Sequence, residues 1–294
     1  MNTEVGFRRR RRHGWRTALV VAVAAFVVAS VALPAQARFL WADDPCGWHG
    51  GQRSFTPSAD PWVGIEGASV CADGAVRVVN RGDLGFVHTH RRYSAAAFTP
   101  DDTTLALLGV DGTVDWVGPT NHLLAAAAAH LSPLRAGVGI GLAFTPDGTG
   151  LWRADSRGMV TVAGTAPDLG HPLASTRFIG FATTMSGAGY WLLADDGTVY
   201  AFGDAVAALG GRRLVRVTGA VSVSRAGDSL GTWIATSSGT IRGFGSASSW
   251  SASECLKLHP GSRVTDAALS GKPGSPVFAV VATDVGALCQ YDRI

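Results

Sequence analysis

Lysine and glutamate are what this chain has least of. Lys257 and Lys272 are the only lysines among 25 basic residues, and Glu4, Glu66 and Glu254 the only glutamates among 22 acidic ones. Glycosidases work with two facing carboxylates; here aspartates would have to supply them, and no pair stands out. Charged residues make up 16% of the 294, below the usual quarter, which excludes a charge-solvated disordered chain. There is no Walker loop and no H-E-x-x-H, so neither nucleotide binding by a P-loop nor zincin chemistry is indicated. The four cysteines show no CxxC or Cys/His spacing suited to zinc. No cofactor is expected.

Positive charge is scarce outside the first residues. Arg8 to Arg12 and Arg16 against Glu4 give residues 1–37 a net +5, while the whole chain carries +3, which leaves −2 for the other 257 residues. A nucleic-acid-binding surface therefore loses its main support. The arginine run precedes an apolar segment from Thr17 to Leu33 and then Pro34-Ala35-Gln36-Ala37. Basic region, apolar region and small-x-small site in that order read as a signal peptide, cut after Ala37, with Ala35 and Ala37 as the cleavage determinants. A run of seventeen residues lies at the lower edge of a bilayer span, so the rival is an uncleaved signal anchor with the arginines on the cytoplasmic side. A twin-arginine signal is weak, because His13 and Gly14 stand where hydrophobic residues belong. Residues 1–37 are thus a leader, 38–294 one domain. No later apolar stretch is long enough to span.

Export favours disulfides, and four cysteines (Cys46, Cys71, Cys255 and Cys289) suit two of them. The pairing Cys46–Cys71 with Cys255–Cys289 closes loops of modest length. The alternative Cys46–Cys289 would join the chain ends.

What is abundant is turn chemistry. Glycine (38) and proline (13) are 17% of the chain, and a hairpin signal recurs six times, around Gly74, Gly112, Gly158, Gly197, Gly239 and Gly286. The spacings are 38, 46, 39, 42 and 47, a mean period of about 42. Two residues after each glycine stand Val76, Val114, Val160, Val199, Ile241 and Leu288. Five after it stand Val79, Val117, Ala163, Phe202, Phe244 and Tyr291. Six before it stand Ala68, Ala106, Trp152, Trp191, Trp233 and Val280. These are strand residues flanking tight turns. Upstream, "AAAFTPDDTTLALL" (95–108) and "GLAFTPDGTGLWRA" (141–154) add a strand–turn–strand, with looser copies at 180–193 and 220–235. A unit of this length with four strands is the size of a propeller blade, stable only when stacked.

The fold expected is therefore all-β: a β-propeller of about six four-stranded blades, after a signal-peptide helix. The period also admits five or seven, and a parallel β-helix or open solenoid is the rival. The last unit stops at its third strand, so residues 38–60 are expected to supply the closing strand and 61–294 the repeats; "GWHGG" (47–51) is similar to the tail "AALGG" (207–211). The segment "NHLLAAAAAHL" (121–131) has high helix propensity and a capping Asn but is assigned to the tail of the second unit, with at most a short helical turn.

"GYWLLADDGTVYAFGDAVAALGG" (189–211) resembles the GYWLxAxDGxVxAFGDA-type repeat of secreted actinobacterial β-propeller proteins. "FTPDGTGLW" (144–152) is similar to the turn of lactonase-like and TolB-like propellers, and "DDGTVYAFGD" to the regulator-of-chromosome-condensation repeat, which is longer. The resemblance covers most of 60–294 in rhythm and is close only in units three to five. It implies a propeller fold and an exported location, and it carries over no catalytic residue. The arginine-rich, lysine-poor composition suits a GC-rich bacterial genome.

Candidate sites are few. His88 and His90 share one side of an extended segment and could begin a metal site, but no third ligand follows and Arg91 and Arg92 disfavour a cation. Asp101, Asp102, Asp111, Asp147, Asp195, Asp196 and Asp284 sit at turns, which turn chemistry explains better than calcium. Trp116, Trp152, Trp191, Trp233 and Trp250 fall in phase with the repeat and read as packing. Trp41, Trp48 and Trp62, in the irregular N-terminal segment, are freer to stack on a ligand. The functional reading is an exported, non-catalytic binding module, monomeric, for a protein or envelope glycan. It contacts no nucleic acid, and it meets the membrane only through an uncleaved leader. The alternatives are an extracytoplasmic hydrolase or lyase at a central channel mouth, and a membrane-tethered interaction module.

Overall fold

In a computed structural model, the described residues are 91–134, 137–227, 230–258, 260–270, 278–285 and 287–292, with 37–41, 52–57, 67–71, 75–80 and 83–87 before them. Residues 1–36 of the leader (Ala35 among them), Cys46, Trp48, Trp62, His88 and His90 lie outside them, whereas Ala37 opens a strand.

Turn residues cut the chain into short strands, and these pair antiparallel with their neighbours in six sheets. The first holds β2 (Gln52–Pro57), β3 (Gly67–Cys71), β4 (Val76–Asn80) and β5 (Asp83–Val87) in that order. The second is β6 (Tyr93–Phe98), β7 (Leu105–Gly109) and β8 (Val114–Val117); the third is β9 (Gly139–Phe144), β10 (Gly150–Asp155) and β11 (Val160–Gly164). The fourth is β12 (Phe178–Thr183), β13 (Gly189–Ala194), β14 (Thr198–Gly203) and β15 (Leu214–Arg216). The fifth is β16 (Ala220–Arg225), β17 (Gly231–Thr236), β18 (Thr240–Gly245) and β19 (Trp250–Ser251). The sixth is β20 (Val264–Ser270), β21 (Phe278–Thr283) and β22 (Leu288–Asp292), and its fourth strand comes from the other end of the chain: β1 (Ala37–Trp41) pairs with β22, Phe39 facing Cys289. The first strands of successive sheets lie side by side: β2 against β6, then β9, β12, β16 and β20, and β20 again against β2.

Two expectations need correction. The segment 38–60 does not act as one closing element, because Gln52–Pro57 opens the first sheet on β3; the strand on β22 is the shorter Ala37–Trp41. The units are also not uniformly four-stranded. After β8 the chain forms a helix, α1 (His122–Ala129), in place of a fourth strand. The Asn121 carboxamide oxygen accepts from the amides of Leu123 (3.0 Å) and Leu124 (3.2 Å), an N-cap that satisfies two of the donors a helix start leaves orphaned. Leu124 and Ala128, one turn apart, are buried with Leu142, Phe144, Leu151 and Ala163 of the next sheet. Alanine's low helical cost and this i, i+4 stripe together outweigh strand pairing here. The third unit also lacks a fourth strand. Residues 165–177 are irregular and are held by Trp152 Nε1 donating to the Pro167 carbonyl (2.9 Å) and by the Tyr190 hydroxyl donating to that of Gly170.

The middle strands β7, β10, β13 and β17 are buried on both faces along their length, as strands sandwiched between neighbouring sheets must be. The tryptophan column makes one repeated contact. Trp152, Trp191 and Trp233 each donate Nε1–H to a carbonyl 14 or 15 residues on, that of Pro167, Ala205 (3.2 Å) or Ser248 (2.8 Å). Each ring thereby packs the core and pins the tail of its own unit.

Cys255, in helix α2 (Ser253–Leu258), is disulfide-bonded to Cys289 of β22, with Cα atoms 5.9 Å apart. Cys71 is disulfide-bonded as well; Cys46 lies outside the described residues.

Candidate binding face

Each first strand carries the same irregularity. Pairing with the second strand skips one residue, between Gln52 and Ser54, Tyr93 and Ala95, Gly139 and Gly141, Phe178 and Gly180, Ala220 and Ser222, and Val264 and Asp266. A bulge of this kind twists a strand and re-aims its side chains. Just ahead of it a second contact recurs. The carbonyls of Arg92, Val138, Arg177, Gly219 and Arg263 accept from the amides of Val110, Ser156, Asp195, Ser237 and Asp284, at 2.8 to 3.0 Å. The strand starts and the turns after the middle strands therefore share one end of their sheets.

Charge is ordered at this end. Arg92, Arg177 and Arg263 are exposed and belong to the second, fourth and sixth sheets; Val138 and Gly219 take the position in the third and fifth. Further out, the turns of the same three charged sheets expose Asp111, Asp195 and Asp196, and Asp284. Asp111 lies 3.5 Å from Arg91, whose guanidinium also reaches Asp115 (3.6 Å), itself the acceptor of the Tyr93 hydroxyl (2.7 Å). Asp196 pairs with Arg216 at 3.7 Å. Asp284 accepts from the Arg263 amide (2.8 Å), and Asp195 from the Thr176 hydroxyl (3.1 Å). The Thr113 hydroxyl holds the Asp111 carboxyl below its ordinary range, and the Thr198 amide does the same for Asp196. Among the described residues no ion pair involves Arg177 or Arg263.

At the opposite end, two turns are of the Thr-x-Asp kind. Thr145 Oγ1 donates to Asp147 (2.5 Å) and accepts from the Gly150 amide (2.7 Å); Thr99 does the same with Asp101 (2.6 Å) and the Thr104 amide (3.1 Å). The hydroxyls of Thr145 and Thr149 and the Thr149 amide pull the Asp147 carboxyl down to about 2. Such aspartates are turn acceptors. Among the described residues no three His, Cys, Asp or Glu side chains come together as metal ligands.

Between the ends, the first strands are made mainly of small and apolar residues; Arg53, Arg225 and Asp266 are their charged members. Gly141 shows why size matters: a Cβ there would sit 2.7 Å from Cβ of Phe181 on the neighbouring first strand. Ser222 and Ser224 of β16 donate to the Ala267 carbonyl of β20 (3.1 and 2.8 Å), and Ser222 accepts from the Ala267 amide (3.0 Å). These hydroxyls tie the first strand of the fifth sheet to the backbone of the first strand of the sixth.

Of the ligand-stacking candidates, Trp41 falls in β1, where the backbone alone is described; Trp48 and Trp62 lie outside the described residues. Two features escaped the sequence reading. Gly227-Asp228-Ser229-Leu230-Gly231 fits G-x-S-x-G, but it links the antiparallel strands β16 and β17, whereas a nucleophile elbow joins a strand to a helix. Arg153 is 2% exposed inside β10. It donates to the carbonyls of Gly112 (2.6 Å) and Ser132 (2.8 Å) and to Thr161 Oγ1 (3.0 Å), tying the third sheet to a turn of the second. Its signal was available: it is the one charged residue in a column that holds Ser69, Leu107, Leu192, Ile234 and Val281 in the other units.

No family model matches the sequence, and no curated protein matches it. Among solved structures, the chain is similar to the β-propeller domain of Myceliophteria thermophila Cps50 (Swd1), at a TM-score of 0.51 and 14% identity over 83% of each chain. The fold is a β-propeller.

Proposed function

We propose that this chain is an exported six-bladed propeller, closed by its N-terminal strand, that serves as a binding module at the cell envelope or outside the cell. The ring is supported by the first strands, which touch in sequence from β2 to β20 and back to β2, and by β1 completing the last sheet. Export rests on the leader. Cleavage after Ala37 leaves Arg38–Trp41 to pair with β22, so the mature chain keeps its closing strand. The family reading, a secreted actinobacterial repeat protein, rests on residues 189–211.

Binding is favoured over catalysis by one observation: the first strands, which line the axis of the proposed ring, bring few charged side chains to it, and Asp266 is their single acid. The mixed arginine and aspartate end is the binding face, since loop-rich concave ends are where propeller and barrel scaffolds hold ligands. Two measurements test this. N-terminal sequencing of protein recovered outside the cytoplasm should begin at Arg38; an intact leader would favour the tethered module. The mature chain should be inert on a panel of glycan and lactone substrates; turnover lost in Asp266→Asn would replace the binding module with an enzyme.

A further inference from the structure

We infer that the arginine-bearing end captures an acidic protein segment: a short loop or chain terminus with carboxylates at its tip and neutral or basic residues on either side. The inference rests on the six-sheet ring proposed above and names the partner chemistry of its binding face.

The placement comes from the repeated backbone contact. Arg92, Arg177 and Arg263 immediately precede the first strands of the second, fourth and sixth sheets. In a ring of six these are alternate positions, so the three arginines are spaced threefold about the axis, separated by Val138 and Gly219 where the structure describes the positions between. Packed sheets lie about 10 Å apart, which puts alternate members of a hexagon at about 17 Å or less. Extended arginine side chains close such a span from both sides. A guanidinium offers a planar fork of donors that matches a carboxylate, and Arg177 and Arg263 are not engaged by any carboxylate among the described residues.

The aspartates decide what kind of anion fits. Asp111, Asp195, Asp196 and Asp284 stand in the turns between second and third strands, one to two strand spacings of about 4.8 Å farther from the axis. The end is therefore positive at its centre, while at its rim Asp111 and Asp196 are paired with Arg91 and Arg216 and Asp195 and Asp284 have no basic partner among the described residues. A long uniform polyanion reaching the centre must cross the rim carboxylates. A segment acidic at its tip and basic on its flanks meets opposite charge at both radii, and complementarity of this kind selects partners.

The test is fluorescence anisotropy with a fluorescein-labelled peptide of three central glutamates flanked by two arginines on each side, against the mature protein. Saturable binding is expected. It should weaken at least tenfold in the double variant Arg177→Gln/Arg263→Gln and fall as salt is raised. It should stay unchanged in Arg212→Gln/Arg213→Gln, which alters exposed arginines beside the outer strand β15. Binding that ignores the first double variant overturns the inference, as does a linear polyglutamate or dextran sulfate that binds as tightly as the peptide, or no binding at all. Amide protection of β1, measured on the same samples, keeps the two readings apart. A protected β1 with no peptide binding removes the acidic-segment partner and leaves the ring; an unprotected β1 removes the ring.

Discussion

At the scale of single residues, the side chains with most to lose are those that satisfy a neighbour's backbone. Arg153 is a buried cation whose three hydrogen bonds go to two carbonyls and a hydroxyl. Arg153→Met keeps the volume but leaves the buried Gly112 carbonyl without its donor, at a cost of about 1–3 kcal/mol, and also removes the bonds to the Ser132 carbonyl and the Thr161 hydroxyl. Urea unfolding should show a loss of at least about 2 kcal/mol; no change would mean that water replaces the guanidinium. Trp191→Phe removes the bond to the Ala205 carbonyl and should cost about 1–3 kcal/mol, against about 3–5 kcal/mol for Trp191→Ala, which also opens a cavity. Asp147 gives a pH signature. Its carboxyl is held down to about 2 in the folded chain from an ordinary 3.8, so its stabilisation is fully present above pH 3.8 and is lost as pH falls toward 2. Asp147→Asn should flatten the fall in melting temperature across that window, and an unaltered slope would assign the acid sensitivity to other groups. The tryptophan column was legible because three large rings recur at one distance from a turn glycine. The Arg153 contacts were not, because a charged residue in an otherwise uncharged column signals an exception without naming the distant carbonyls that receive it.

At the scale of elements, strands and hairpins were readable from turn glycines and paired apolar columns, and helix against strand at 121–131 was not. Local preference pointed to helix and the repeat pointed to strand. The deciding fact, a slot beside β10 and β11 that Leu124 and Ala128 fill, is tertiary. The cap and the slot contribute separately. Asn121→Ala should cost about 1 kcal/mol and Leu124→Ala about 2–5 kcal/mol; equal effects would mean that the helix is held by its cap alone. The disulfide between α2 and β22 bridges a sequence separation of 34, for which loop-closure entropy gives roughly 3–4 kcal/mol of stabilisation. Cys255→Ser/Cys289→Ser should lower the urea midpoint accordingly. A variant that melts with the wild type would show that the packing of Tyr291, whose hydroxyl accepts from the Cys255 amide (3.2 Å), suffices. The short bulge at the start of every first strand left no trace in the sequence, since the skipped residues (Arg53, Ser94, Ile140, Ile179, Val221 and Thr265) share no chemistry.

At the scale of the molecule, six units that each leave sheet faces uncovered gain stability only from their neighbours. The two chain ends meet in the sixth sheet, where β1 covers the outer edge of β22. The period of the repeat made the six sheets legible, whereas the gathering of charge at one end was hidden: arginines and aspartates far apart in the chain come to one end of their sheets only through strand pairing. The most direct test of the ring is hydrogen–deuterium exchange of the mature chain, followed on the peptide that contains residues 38–41. The account predicts protection matching that of β22, lost together with it on unfolding. Exchange at the rate of a free peptide, with β22 still protected, would contradict it.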